Sequence, residues 1–236
     1  MNFTENHFDT VFKNKEVQDY SLDPEKLKGK DLQVLSLLKK TGVAGAHCLD
    51  VGPGTGRWLS FLRQLGARNL AAVDISKQSL ERCRRWCDAV FKIDIENENL
   101  PFPSNTFDII ISFEVLEHLI HPELFITEML RVVKPGGLVL MTTPNLCSFA
   151  SRVRMLFGGR PVAMAADSTH LRFYRKKDIA RLFRQFEEKA RFLPTGFSVN
   201  PLNPKSRYRI PTTEFMSSLD DSLVFCITPA SKKLQR

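Results

Sequence analysis

Nowhere in this 236-residue chain does an apolar run approach the ~20 residues that a helix needs to cross a bilayer. Its first residues, Met1-Asn2-Phe3-Thr4-Glu5-Asn6, lack the basic start and apolar core of a secretory leader, so a soluble, cytoplasmic protein is expected. Cysteine is scarce, with five residues, an odd number, and no spacing that suits a metal site, which argues against a disulfide framework. Cys83 and Cys87 stand one helical turn apart and read either as a redox pair or as one buried helix face. Free cysteine behaves mostly as a small buried hydrophobe, which favours the face. The chain has no internal repeat and no recognisable RNA-binding module.

What is present is enough for one substantial α/β core, since 43% of the residues are hydrophobic and the length favours one domain with an added cap. Charge is unevenly spread. Residues 151–210 hold fourteen Lys or Arg against four Asp or Glu, a local +10 within a total of +8, which leaves −2 elsewhere. Such a region can steer an anionic substrate, hold nucleic-acid phosphates, or simply be a solvated helix face.

The most informative stretch is Cys48-Leu49-Asp50-Val51-Gly52-Pro53-Gly54-Thr55-Gly56, an apolar strand that ends in an acid and runs into three glycines at alternate positions. Glycines there let the backbone turn sharply out of a parallel strand and let a ligand approach closely before a helix begins. A dinucleotide fingerprint needs G-x-G-x-x-G, whereas here the third glycine comes one residue early and Asp50 precedes the first. The spacing favours a cationic, phosphate-free ligand over NAD.

Around that stretch, strand and helix patterns alternate. Strands are expected to Val51, over Asn69–Asp74, Ala89–Asp94, Phe107–Phe113 and Gly137–Thr143, with helices over Gly56–Leu65, Lys77–Cys87 and His121–Val133 between them. Near-continuous apolar strands separated by amphipathic helices imply a parallel sheet covered on both faces. Residues 1–44 read as an N-terminal helical segment, residues 45–145 as the cofactor-binding core, and residues 146–175 as a substrate cap. That cap opens with a basic amphipathic helix over Ser148–Phe157, followed by a small, polar stretch over Met164–Thr169. Residues 176–236 supply a helix over Lys176–Phe186, strands over Lys189–Leu193 and Leu223–Ile227, and the proline-containing linker Asn200–Asp221 between them.

The ordered motifs resemble those of class I S-adenosylmethionine (SAM) dependent methyltransferases, similar in particular to ubiquinone-biosynthesis O-methyltransferases. The resemblance covers roughly residues 46–145 and includes Leu100-Pro101-Phe102-Pro103 and Leu130-Arg131-Val132-Val133-Lys134-Pro135-Gly136-Gly137. It implies an α/β fold: a Rossmann-like, seven-stranded, mostly parallel sheet with a C-terminal antiparallel hairpin and helices on both faces. It also implies a cofactor site made by Asp50, Gly52, Gly54 and Gly56, by Asp74 and Ile75 at the ribose, by Asp94 and Ile95 at the adenine, and by Phe113. The N-terminal segment would fold over the cofactor, with Phe12 and Tyr20 as lid aromatics.

Methyl transfer leaves the protein to align the reactants and remove a proton from the acceptor. Phe113-Glu114-Val115-Leu116-Glu117-His118 follows the fourth strand, and if it opens a helix, Glu114, Glu117 and His118 share one face. Two carboxylates and an imidazole at that spacing could hold Mg²⁺ or Mn²⁺. The stretch resembles the E-x-x-E-H of metal-using methyltransferases that act on catechol-type hydroxyls or on the 2′-hydroxyl of small RNAs. In the RNA enzymes a later histidine joins, and His170 stands in that place. Alternatively His118 or His170 is a general base without metal, or the group is structural. His121, before Pro122, reads as a helix-start residue, and no role is expected for His7 or His47. The leading expectation is methylation of a hydroxyl on a small, anionic or aromatic molecule, yielding S-adenosylhomocysteine. An RNA 2′-O-methyltransferase, a C- or N-methyltransferase of a natural product, and a SAM-binding regulator without catalysis are the alternatives.

Overall fold

A computed structural model of the chain describes residues 3–13, 27, 30–166, 169–187, 190–195, 198–199, 209–210 and 222–229. Tyr20 and most of the linker 200–221 lie outside the described residues. Helices α1 (Phe3–Lys13) and α2 (Lys30–Thr41) lead into β1 (His47–Val51), α3 (Arg57–Gln64), β2 (Asn69–Asp74), α4 (Lys77–Cys83), β3 (Ala89–Lys92) and β4 (Phe107–Phe113). A 3-10 turn (Leu116–His118), α5 (Pro122–Val132), β5 (Val133–Pro144), α6 (Phe149–Leu156), α7 (Val162–Ala166), α8 (Lys176–Arg184) and β6 (Ala190–Thr195) follow. A short ribbon of β7 (Ser198–Val199) and β8 (Arg209–Ile210) precedes β9 (Ser222–Pro229). No helix among the described residues is long and apolar enough to cross a membrane.

The main sheet has the order β3-β2-β1-β4-β5-β9-β6. Neighbours from β3 to β5 are parallel, and β9 lies antiparallel between β5 and β6. Side chains alternate across it, as strand geometry requires. Cys48, Ile109, Ile111 and Leu140 pack with Val34 and Leu38 of α2, Leu59 and Leu62 of α3, and Leu80 of α4. On the other face Leu49, Ile110, Val139 and Met141 pack with Ile126 and Met129 of α5 and Ile179 and Phe183 of α8. Burial on both faces explains why the strands read as unbroken apolar runs.

Element boundaries depart from the periodic pattern where side chains intervene. Helix α4 stops at Cys83 because the turn after it sets Trp86 against Gly56, whose Cβ would stand 2.6 Å from the indole. Strand β3 stops at Lys92, and Asp94 caps the turn beyond it. Strand β5 begins at Val133 rather than Gly137, with a register shift between the pairs Phe107–Val133 and Ile109–Leu138. The small, polar stretch contains a helix, α7, fastened to α6 where Val162 N–H donates to Ser151 Oγ at 3.1 Å. Cys83 and Cys87 are both free thiols. Burial pushes Cys83 well up and Cys87 to about 12, which suits packing and not redox exchange.

Candidate active site

The carboxyl ends of β1, β2 and β4 open on a cleft of about 600 Å³, a size typical of small-ligand sites. Open parallel sheets bind ligands at this edge. Asp50, Gly52, Gly54, Asp74, Ile75, Asp94, Ile95 and Phe113 all line it, whereas Gly56 stands behind the loop under Trp86. Two positions show why the loop needs glycine. Gly52 has φ +75°, and a Cβ there would meet Val115 Cγ2 at 2.4 Å, so the loop after β1 touches the segment after β4. Gly54 has φ +56°, and its Cβ would meet the Phe12 ring at 3.3 Å, closing the gap between loop and lid.

The strand-end acids differ in their surroundings. Asp50 is 2% exposed, and its Oδ2 has no hydrogen-bond partner among the described residues. Burial, and then the Asp74 charge, lift its carboxyl well above the usual range. Asp74 accepts from Ser79 Oγ at 2.6 Å and from the Ser76 amide at 2.8 Å, yet burial still carries it to about 6. Asp94 accepts from the Glu96 amide at 3.1 Å and from Asn97 Nδ2 at 2.9 Å, and so shapes its own turn at the cleft edge.

Helix α1 sets Phe12 on the cleft, and Phe8, one turn earlier, lines it too. The two rings stack at 6.4 Å, and the edge of Phe8 meets His118 at 5.2 Å. Asp9 fastens the helix by accepting from Ser76 Oγ at 2.6 Å and the Gln78 amide at 3.2 Å, and Glu5 pairs with Lys92 at 2.5 Å. On another wall Lys30 pairs with Glu114 and Asp31 with Arg57, both at 2.9 Å. Sequence reasoning missed Phe8, Asp9 and these ion pairs. The i, i+4 spacing of Phe8 and Phe12 was a usable signal for one face; nothing in the sequence marked the ion pairs.

Glu114, Glu117 and His118 do not form a helical face, which corrects the reading of that stretch. Glu114 has φ +57°, its amide donates to the Thr142 carbonyl at 3.0 Å, and its carboxylate is engaged by Thr142 Oγ1 and Lys30. The 3-10 turn then brings Glu117 and His118 together with His170 instead. One ligating atom from each of these three lies within 4.8 Å of the others, a group that leaves Glu114 out.

Glu117 is 1% exposed. Its Oε2 accepts from Thr143 Oγ1 at 3.0 Å, while Oε1 has no hydrogen-bond partner among the described residues and lies 4.0 Å from His170 Nε2. Its carbonyl accepts from the amides of Leu171 at 2.9 Å and Arg172 at 3.0 Å, which pins the cap loop beside the turn. His170 Nδ1 faces the Ala163 carbonyl at 2.9 Å, so the proton is assigned there and Nε2 is the basic nitrogen turned to Glu117. His118 Nδ1 lies 3.2 Å from the Thr169 carbonyl, which likewise makes Nε2 basic. Burial first, then the Glu114 charge, push Glu117 up to about 8. Two imidazoles and one carboxylate can hold a divalent ion or pass a proton. His121 begins α5 before Pro122, as read.

A family model described as a methyltransferase domain matches residues 25–187. The chain belongs to that family. Among relatives of this methyltransferase domain, the ubiquinone biosynthesis O-methyltransferase of Maricaulis maris is 26% identical over 164 residues, 67% of this chain and 64% of that protein. A demethylmenaquinone methyltransferase of Tropheryma whipplei is 36% identical over 104 residues, 42% of each chain. The chain thus spans about half the length of the curated relatives it matches. In fold it is similar to magnesium protoporphyrin IX methyltransferase from Synechocystis, with TM-score 0.60 and 13% identity over 98% of this chain and 96% of that one.

Proposed function

We propose that this methyltransferase domain moves the methyl group of SAM to a hydroxyl oxygen of a small-molecule acceptor, with Glu117, His118 and His170 activating that oxygen. The cofactor fit rests on the cleft. Its glycine loop leaves the room a Cβ at Gly54 would narrow, two buried acids suit a cationic ligand, and Ile75 and Ile95 offer apolar walls for a purine. Asp74, which already accepts from a hydroxyl and an amide, would accept the ribose hydroxyls. Asp94 would take the adenine amino group, and Asp50 the charge of the amino-acid end. When bound, SAM supplies a methyl carbon made electrophilic by its sulfonium, and S-adenosylhomocysteine is left.

The observation that carries the acceptor half is the buried Glu117 Oε1, without a hydrogen-bond partner among the described residues and facing His170 Nε2 beside a cleft that His118 lines. Thr169 holds the His118 ring so that Nε2 can take the acceptor proton, with the His170 ring 4.9 Å away and Glu117 beside it. The same three side chains fit a divalent ion such as Mg²⁺ or Mn²⁺, whose chemistry would be to lower the pKa of the acceptor hydroxyl. Glu114 is outside that donor set. The basic cap favours an anionic or aromatic acceptor, and the likeness to the Maricaulis O-methyltransferase favours oxygen over carbon or nitrogen.

The test is calorimetric titration of SAM and S-adenosylhomocysteine with EDTA and then with Mg²⁺ or Mn²⁺, followed by labelled methyl transfer to a panel of catechol-type phenols and to short RNA. Micromolar cofactor binding and label on a phenol oxygen are expected. A metal-binding event lost in Glu117→Ala would assign the ion. No cofactor binding by folded protein, or label only on RNA, would overturn the reading.

A further inference from the structure

Helix α6 buries only Ser151, and it ends in large apolar side chains turned to water: Met155 is 44% exposed, Leu156 82% and Phe157 86%. The turn that displays them is ordered by three backbone bonds, from Phe157 and Gly159 to the Arg154 carbonyl and from Gly158 to that of Met155. Around the tip stand the exposed Arg152, Arg154 and Arg160. The sequence has no Asp or Glu between Glu128 and Asp167, and none of the three arginines makes an ion pair among the described residues.

We propose that the α6–α7 tip is a docking surface for a bilayer that carries anionic phospholipid. Arg152 Nε donates to the Cys147 carbonyl at 2.8 Å, and no carboxylate among the described residues neutralises any of the three guanidinium groups, so an exposed Leu-Phe pair ringed by positive charge is complementary to an apolar layer lying beneath negative headgroups. Arginine stems can lie along the apolar layer while their heads stay with the phosphates. Other occupants match less well. A second copy docked through the same tip would set arginine against arginine. Single-stranded RNA would pair with the arginines but leave Leu156 in water. The docked surface is joined to the acceptor side of the cleft, because Ser151 holds Val162 and the Ala163 carbonyl holds His170. The proposal stands independently of the methyl acceptor.

Flotation with phosphatidylcholine vesicles, with and without about 30% phosphatidylglycerol, tests it. The protein is expected to float with the anionic vesicles at low salt and to release at high salt. Leu156→Ser with Phe157→Ser, or Arg154→Glu with Arg160→Glu, should each weaken that binding about tenfold or more. Phe157→Trp should add an emission that shifts to the blue on anionic vesicles. Calorimetry of S-adenosylhomocysteine on the double serine variant is expected to match the parent, which shows an intact fold and separates this test from that of the methyltransferase reading. The proposal is overturned by failure to float, by equal flotation of the double serine variant, by equal flotation on neutral vesicles, or by a dimer that the serine pair abolishes.

Discussion

On the cofactor side of the cleft each acid closes a strand or the turn after it, and its partners are near in sequence: Ser76 and Ser79 for Asp74, Glu96 and Asn97 for Asp94. On the acceptor side Glu117 and His118 come from a 3-10 turn and His170 from a cap loop, with His118 and its partner Thr169 separated by 51 residues. A handful of bonds joins the two segments: the Leu171 and Arg172 amides donate to the Glu117 carbonyl, His118 meets Thr169, and the Arg172 guanidinium donates to the Leu119 and Ile120 carbonyls. A site built from strand ends inherits its geometry from the sheet. One built from turns depends on a few tertiary bonds, and can be altered without disturbing the first.

The largest effect should come from Gly54→Arg. A side chain there enters the space between loop and Phe12, so SAM affinity should fall more than about 100-fold, roughly 3 kcal/mol, by calorimetry. Retained affinity would mean that the loop is not the cofactor cradle. The matching change on the acceptor side is His118→Ala, expected to lower turnover by roughly 10²–10⁴ while SAM binding stays within about twofold. Equal losses in binding and turnover would show that the two sides are not separable.

This division also explains what could be read in advance. Asp50, Asp74 and the glycines were legible because strand periodicity and loop spacing fix where a strand-end residue points. Glu114 was misplaced because its left-handed φ is set by a tertiary bond to Thr142 and the Lys30 ion pair, neither visible in the local pattern. His170 was found only through the family's later histidine, since no local signal ties residue 170 to residue 117. Phe8 carried a helical signal but no sign of which face would meet His118.

A smaller effect concerns pH. Burial raises Glu117 from its ordinary 4.5 to about 8, so between those values the folded protein keeps a proton that the unfolded chain has released. Stability of the ligand-free protein should therefore fall as pH rises through that window and level off above it. Asp74, raised from 3.8 to about 6, adds a slope of the same sign at the lower end. Glu117→Gln should flatten the curve above about pH 6 and stabilise the protein by on the order of 2 kcal/mol near pH 8.5, measured by urea unfolding across pH. An unchanged slope would mean that Glu117 is already ionised in the folded state.

The smallest effect tests whether the lid belongs to the cofactor side. Asp9 is the link, since its carboxylate receives both Ser76 Oγ and the Gln78 amide at the first turn of α4. Ser76 also donates its amide to Asp74, so α1 and the Asp74 carboxylate share a residue. Removing Asp9 with alanine leaves water to satisfy both donors and costs the lid about 1 kcal/mol of attachment, the usual net worth of such bonds. The α1 helix should open more often, and S-adenosylhomocysteine should leave about fivefold faster in stopped-flow release, with its association rate little changed. Phe8 rests on His118, so the same opening should also loosen the acceptor side and lower turnover at subsaturating acceptor. Faster release with unaltered turnover would confine the lid to the cofactor; both changes together would make α1 the element that couples the two halves.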